Sequence, residues 1–156
     1  MTLTFIIPGD PCAKGRPRVF VNGGKARGVT PKKTRNYEAM VAECAATARE
    51  ESGGVWPLPA GTPVRVEVDA VFRRAGGLFR AKDSDEMIPR AKRPDVDNVA
   101  KAVLDGMDKA GIWQDDAQVV ELVARKWDGA IVGLRRERRS EAPHVVVVLT
   151  VIGAPE

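Results

Sequence analysis

Apolar residues recur with two different periods along this chain, and the alternation between them predicts the elements. Residues 3–8 form a short apolar run closed by Pro8-Gly9-Asp10-Pro11, which reads as a strand ending in a turn. Residues 19–21 and 25–29 flank Asn22-Gly23-Gly24 and predict a hairpin whose Asn-Gly supplies the positive-φ turn. Thr30, as N-cap, and Pro31, at the first helical position, open a helix on which Tyr37, Met40, Val41, Cys44, Ala45 and Ala48 recur. Ser52-Gly53-Gly54 stops it. After a linker with Pro57, Pro59, Gly61 and Pro63, the residues Val64, Val66, Val68, Ala70 and Phe72 alternate with Arg65, Glu67, Asp69 and Arg73. That period of two predicts a half-buried strand.

Residues 74–93 have no period and carry Arg74, Arg80, Lys82, Arg90, Lys92 and Arg93, which reads as a mobile loop that contacts substrate. Beyond Pro94-Asp95-Val96-Asp97-Asn98, a helical stripe of Val99, Ala102, Val103, Gly106 and Met107 runs to Gly111. Strands follow over 119–127 and 145–152, separated by a turn region with Arg135, Arg136, Arg138 and Arg139. The order predicts an α+β fold, a small mixed or antiparallel sheet packed by two helices, in a single domain over residues 1–156.

Composition changes the picture mainly through where the charges fall. The chain has 25 Lys and Arg against 21 Asp and Glu, a net charge of only +4. Yet Lys14, Arg16, Arg18, Lys25, Arg27, Lys32, Lys33 and Arg35 form a cationic arm with no acid among them. From Asp95 to Asp116 the sign reverses, with Asp95, Asp97, Asp105, Asp108, Asp115 and Asp116 against Lys101 and Lys109. A basic body holding acids suits a metal-dependent enzyme that acts on a polyanion. Cys12 and Cys44 are too few for a thiolate zinc site and read as buried or free thiols in a reducing compartment. No apolar run approaches the ~20 residues that span a bilayer and no leader pattern opens the chain, so the expected location is cytoplasmic, with no membrane partner. The single histidine, His144, reads as a strand-end residue.

The acidic segment carries the candidate chemistry. Oxygen ligands without Cys or His favour Mg²⁺, with Mn²⁺ as a substitute, over zinc. Asp95 in extended chain before the helix and Asp97 near its start can face one cavity. Asp97, Lys101 and Asp105 follow at i, i+4 and i+8, which puts Lys101 one turn along from the ligands, able to meet a scissile phosphate. Each residue also has a plainer reading: Asp97 as a helix cap, Asp95 as a turn residue, Lys101 and Asp105 as an exposed ion pair, Asp115 and Asp116 as a solvated turn. The segment from Asp95 to Gly106 is not an EF-hand loop, because Val99, Ala100 and Gly106 stand where that loop needs an oxygen ligand, glycine and glutamate.

Taken together, Pro94-Asp95-Val96-Asp97-Asn98, Lys101, Asp105, Gly111, Trp113 and Asp115-Asp116-Ala117-Gln118-Val119 resemble the RusA-type Holliday junction resolvases, as does Lys14-Gly15-Arg16-Pro17-Arg18. The resemblance implies a homodimeric endonuclease that uses Mg²⁺ to cut four-way DNA junctions symmetrically, in recombination and repair. It makes Asp95, Asp97 and Asp116 the essential acids and metal ligands and Lys101 the essential basic residue, with Asp105 and Asp115 in support. Lys14, Arg16, Arg18, Lys32, Lys33 and Arg93 are the expected DNA contacts. A less specific nuclease for branched DNA, and a non-catalytic junction-binding protein, remain alternatives. A helix from Asp97 to about Lys109 spans roughly 18 Å, and the extended return from Gly111 to Asp116 covers about 16 Å at best. The spacing therefore leaves open whether one subunit or a two-fold pair completes the site.

Overall fold

The computed structural model describes residues 1–153. Its five-stranded mixed sheet has the order β1-β9-β4-β6-β5, built from β1 (Thr2–Pro8), β4 (Val64–Phe72), β5 (Ile88–Pro89), β6 (Val119–Asp128) and β9 (His144–Val151). β9 lies antiparallel between β1 and β4, while β6 runs parallel to β4. A parallel neighbour requires a crossover, and α2 (Val96–Lys109) supplies it. The start of α2 therefore lies at the carboxyl ends of β4 and β6. The expected α+β class and both helices are present.

Period-two burial explains the sheet. Leu3, Phe5 and Ile7 of β1, Val64, Val66, Val68 and Ala70 of β4, and Val145, Val147 and Leu149 of β9 turn inward against Tyr37, Val41 and Ala45 of α1 (Lys32–Ser52) and Val99, Val103 and Met107 of α2. Both helices cover this one face. At Gly106 a side chain would meet Val41 Cβ at 2.5 Å and the Glu38 carbonyl at 2.9 Å, so the helices cross at a point only glycine permits. No helix among the described residues is long and apolar enough to cross a membrane.

The hairpin β2 (Arg18–Asn22) and β3 (Lys25–Val29) pairs only with itself and is exposed throughout. Its turn is made by Gly23 and Gly24, at φ +59 and +75, and Asn22 ends the strand instead of opening the turn. α1 also starts one residue later than its sequence suggests: Pro31 is the N-cap and Thr30 does not cap it. Thr34 Oγ1 instead accepts from Gly15 N–H at 3.0 Å, which fixes the base of the hairpin to α1.

The reading of residues 74–93 as a mobile, substrate-contacting loop needs correction at Arg74. Its side chain is buried, and its guanidinium donates to the carbonyls of Gly129 (2.7 Å), Ser84 (2.5 Å), Leu78 (3.4 Å) and Glu86. The loop thus winds around a buried cation and docks β5 onto the end of β6. Arg90 is committed as well, to Asp128 at 2.7 Å and across the Phe72 ring at 4.6 Å. The region 128–141, expected as turns, contains a short ribbon of β7 (Ile131–Val132) and β8 (Arg139–Ser140).

Candidate active site

The six acids between Asp95 and Asp116 fall into two groups of three. Asp105 Oδ2 pairs with Lys14 Nζ at 2.7 Å, Asp108 Oδ1 accepts from Trp113 Nε1 at 3.1 Å, and Asp115 Oδ1 accepts from Ala117 N–H at 2.8 Å. These carboxylates hold the fold. Asp95, Asp97 and Asp116 are exposed, and among the described residues their carboxylates make no hydrogen bond or ion pair. The helix-cap reading fails on the same geometry: Asp95 is the N-cap of α2, in extended conformation, but its side chain caps nothing, and Asp97 lies within the first turn.

Lys101 is exposed on the turn after Asp97. It has no ion pair with Asp105, because Lys14 occupies that carboxylate. Lys14 is thereby no free cation itself. Its ammonium sits between Asp105 and Glu38 Oε1, the latter at 2.5 Å, and its backbone N–H donates to the Asn98 carbonyl at 2.8 Å. A lysine so enclosed secures the arm to α2 and is not free to meet phosphate, contrary to its expected role. Arg16, Arg18, Lys32, Lys33 and Arg93 are all exposed. His144 begins β9, with Nδ1 2.8 Å from the Ala142 carbonyl. Cys12 is buried and Cys44 half-buried, both as free thiols.

Three further residues shape this region. Lys126, on β6, donates from Nζ to the carbonyls of Lys92 and Pro94, both at 2.6 Å, and so fixes the chain entering Asp95. Buried Gln118 donates to the Pro59 and Thr62 carbonyls at 3.0 and 3.1 Å while accepting from Gln114 and Asp115 N–H, which fixes the turn bearing Asp116. Glu38, 1% exposed, joins Lys14 to Lys109. Burial pushes its carboxyl up, but the hydrogen bonds from Lys109 and Lys14 outweigh this and hold it below the usual carboxylate range. Gln118 belongs to a segment its sequence pattern already marks, whereas Lys126 and Glu38 carry no local signal.

The two ends of this acidic segment are far apart in one chain. Lys126 places Asp95 beside the far end of β6, and Asp116 precedes Val119, where β6 begins. Seven residues of strand at about 3.3 Å each separate these points by roughly 23 Å, and α2 spans a comparable ~21 Å. Accordingly, no three Asp, Glu, His or Cys side chains among the described residues are grouped to hold a metal ion. The donor chemistry of Asp95, Asp97 and Asp116 fits a hard divalent cation, but within this chain Asp116 stands apart from the other two.

Comparison with known proteins shows the family of the chain. The chain is 29% identical to "Uncharacterized protein YqaN" of Bacillus subtilis (strain 168) over 97% of its own length and 98% of that protein. It is 53% identical over 34 residues to the crossover junction endodeoxyribonuclease RusA of Escherichia coli (strain K12), covering 22% of this chain and 28% of that one. The RusA of Enterobacteria phage 82 matches to the same extent. The family model for endodeoxyribonuclease RusA matches residues 8–149, nearly the whole described fold, and the protein belongs to the RusA endodeoxyribonuclease family.

Proposed function

We propose that the protein is a Mg²⁺-dependent, structure-specific endodeoxyribonuclease that resolves four-way DNA junctions by paired symmetric nicks during recombination and repair. One observation carries the assignment. Of six neighbouring acids, the three whose carboxylates have no partner among the described residues, Asp95, Asp97 and Asp116, are the three that the resemblance to RusA-type resolvases makes the expected metal ligands. Asp95, Asp97 and Asp116 would hold a divalent cation, which when bound would polarise the phosphodiester as a Lewis acid and supply a water nucleophile at neutral pH. Lys101 brings positive charge to the scissile phosphate from the adjacent helical turn. Lys126 keeps the Asp95 backbone in place, and Arg16, Arg18, Lys32, Lys33 and Arg93 neutralise flanking phosphates. Cleavage of a synthetic four-way junction beside a duplex, with and without Mg²⁺, tests the reading. Equal cutting of both substrates would refute junction specificity, and absence of any Mg²⁺-dependent cutting or thermal stabilisation would leave only a junction-binding protein.

The separation of Asp116 from Asp95 and Asp97 favours a homodimer with shared sites. β6 pairs with β4 along one edge, while β5 covers the other only at Trp127 and Asp128, which leaves residues 119–125 open. Val120 and Leu122 there are 63% and 45% exposed. An open apolar edge strand is suited to pairing with another strand. Two β6 edges meeting antiparallel across a two-fold axis set the start of one strand beside the end of the other, and so carry Asp116 of each subunit towards Asp95 and Asp97 of its partner. Mixing Asp97→Asn and Asp116→Asn subunits, each inactive alone, separates the arrangements. With shared sites the heterodimer contains one intact site and nicks one strand; with self-contained sites it stays inactive. No nicking after demonstrated subunit exchange refutes sharing.

A further inference from the structure

The β2–β3 ribbon segregates its side chains by face, and the two faces differ in chemistry. Its cross-strand pairs are Arg18 with Val29, Phe20 with Arg27 and Asn22 with Lys25 on one face, and Val19 with Gly28 and Val21 with Ala26 on the other. Every cation of the two strands therefore shares a face with Phe20. The face with Val19 and Val21 is uncharged. Phe20 is also unusual within the molecule. Of four Phe, three Trp and one Tyr, all among the described residues, it is the one aromatic side chain that is exposed, at 56%.

The charged face is solvent-exposed and, at Arg18 and Phe20, borders the start of α1. Between the two lies an open cleft of about 400 Å³, lined by Arg18, Phe20 and Val29 from the ribbon and by Lys32, Lys33 and Arg35 from the helix. That volume lies within the range of small-ligand sites, roughly 300–1,000 Å³. None of these four cations is paired with a carboxylate among the described residues, and no Asp or Glu occurs between Asp10 and Glu38. Gly15 holds the ribbon against the helix: a side chain there would meet Pro31 Cγ and Thr34 Oγ1, both at 2.9 Å.

We propose that this cleft takes one unpaired nucleotide of branched DNA, its base stacked on Phe20 and its flanking phosphates on Arg18, Lys32, Lys33 and Arg35. The inference rests on the DNA reading above and specifies what the arm recognises. A cluster of unpaired cations selects a polyanion. An exposed aromatic face adds stacking affinity only when a base has left the duplex stack, because in a duplex both faces of each base are already covered. Base stacking between helical arms is interrupted at a branch point, so a base there costs less to unpair and extrude than one inside a continuous duplex. The cleft distinguishes branched from continuous DNA without reading sequence, since every base offers a π-face.

The test is binding without divalent cation, so that nothing is cleaved, measured by fluorescence anisotropy. The probes are an oligothymidylate of roughly ten residues, within the ~4–16 nucleotides usual for such grooves, a strand of the same length with abasic sugars throughout, and a duplex. Phe20→Ala should weaken oligothymidylate binding about 5- to 100-fold, leave the abasic strand and duplex unchanged, and be rescued by Phe20→Trp. An Arg18→Ala/Lys33→Ala double variant should weaken oligothymidylate and abasic strand alike. Unchanged oligothymidylate binding by Phe20→Ala, or an equal loss on both single strands, overturns the stacking role. A shift in sedimentation of Phe20→Ala overturns it too, by placing Phe20 in a subunit contact. Phe20 touches solvent and not the core, so the melting temperature should not move. Junction cleavage is scored separately. A protein that cuts no junction but shows the base-dependent loss refutes the nuclease reading alone, and one that resolves junctions without that loss refutes this inference alone.

Discussion

Replacing Glu38 with glutamine tests whether one buried carboxylate ties the arm to α2. Its two oxygens meet Lys14 at 2.5 Å and Lys109, and Lys14 also holds Asp105 at 2.7 Å. The network therefore joins the segment before the hairpin, α1 and α2 beneath Asp97 and Lys101. Removing one partner of a fully buried ion pair costs about 3–5 kcal/mol, because the other charge is left desolvated and alone. Two features reduce that figure here. The Lys109 side chain is 50% exposed and can turn to water, and Lys14, 20% exposed, keeps Asp105. The expected loss is about 2–3 kcal/mol at neutral pH, a fall of roughly 4–12 °C in melting temperature for a chain of this size.

The dependence on pH identifies the cause. The Glu38 carboxyl lies below its ordinary range in the fold, so it takes up protons more readily when unfolded. Its contribution is complete above the unfolded value near ~4.3 and is lost as pH falls through the lower folded value. Burial pulls Lys14 down, but hydrogen bonds and attraction from Asp105 and Glu38 leave it raised, so its share persists to the ordinary lysine range and disappears at still higher pH. Urea unfolding of wild type and Glu38→Gln at neutral pH and near pH 3 provides the comparison. A difference under about 0.5 kcal/mol at neutral pH, the level of ordinary surface changes, or a gap that does not narrow in acid, refutes the reasoning.

Two other perturbations separate chemistry from binding. Asp97→Asn should abolish cleavage while junction affinity, measured by gel shift, stays equal or increases, because a ligand and a negative charge leave while the arm is untouched; loss of binding in a folded variant would make Asp97 structural. Neutralising Arg16 and Arg18 should weaken junction and duplex binding alike and flatten the salt dependence by a slope of about 1.8, at about 0.9 for each phosphate no longer neutralised; an unchanged slope places this arm away from DNA.

The amphipathic elements were legible because burial writes itself into local period. β4 shows it in the alternation of Val64, Val66 and Val68 with charges, and α2 in the stripe of Val99, Val103 and Met107. The hairpin followed from its glycines. Residues whose partners are remote were not legible. Arg74 looks like any loop cation in sequence, since the carbonyls of Gly129, Ser84 and Glu86 that fix it have no side-chain signature. Lys14 read as part of a cationic arm because Glu38 and Asp105, which neutralise it, lie on α1 and α2, far along the chain. The three candidate acids were marked by composition and family pattern, but which of the six would be unpartnered depended on Lys14, Trp113 and Ala117 claiming the others.

Concentrated acids in sequence suggest repulsion that a folded chain must bear, yet the crossover topology separates them. With β6 parallel to β4, α2 must run back along the sheet, so the acids before the helix and those after it lie at opposite ends of the same strand. At roughly 20 Å through water, two carboxylates interact by about 0.2 kcal/mol before screening, and beyond a Debye length of about 8 Å little of that survives. Within one chain, Asp116 therefore adds little repulsion to Asp95 and Asp97. On the shared-site reading, the like charges converge only when two subunits meet, where a divalent cation can offset them. Metal and dimer are then thermodynamically linked: each ligand set completed at the interface strengthens cation binding, and the cation in turn strengthens the interface by the same factor.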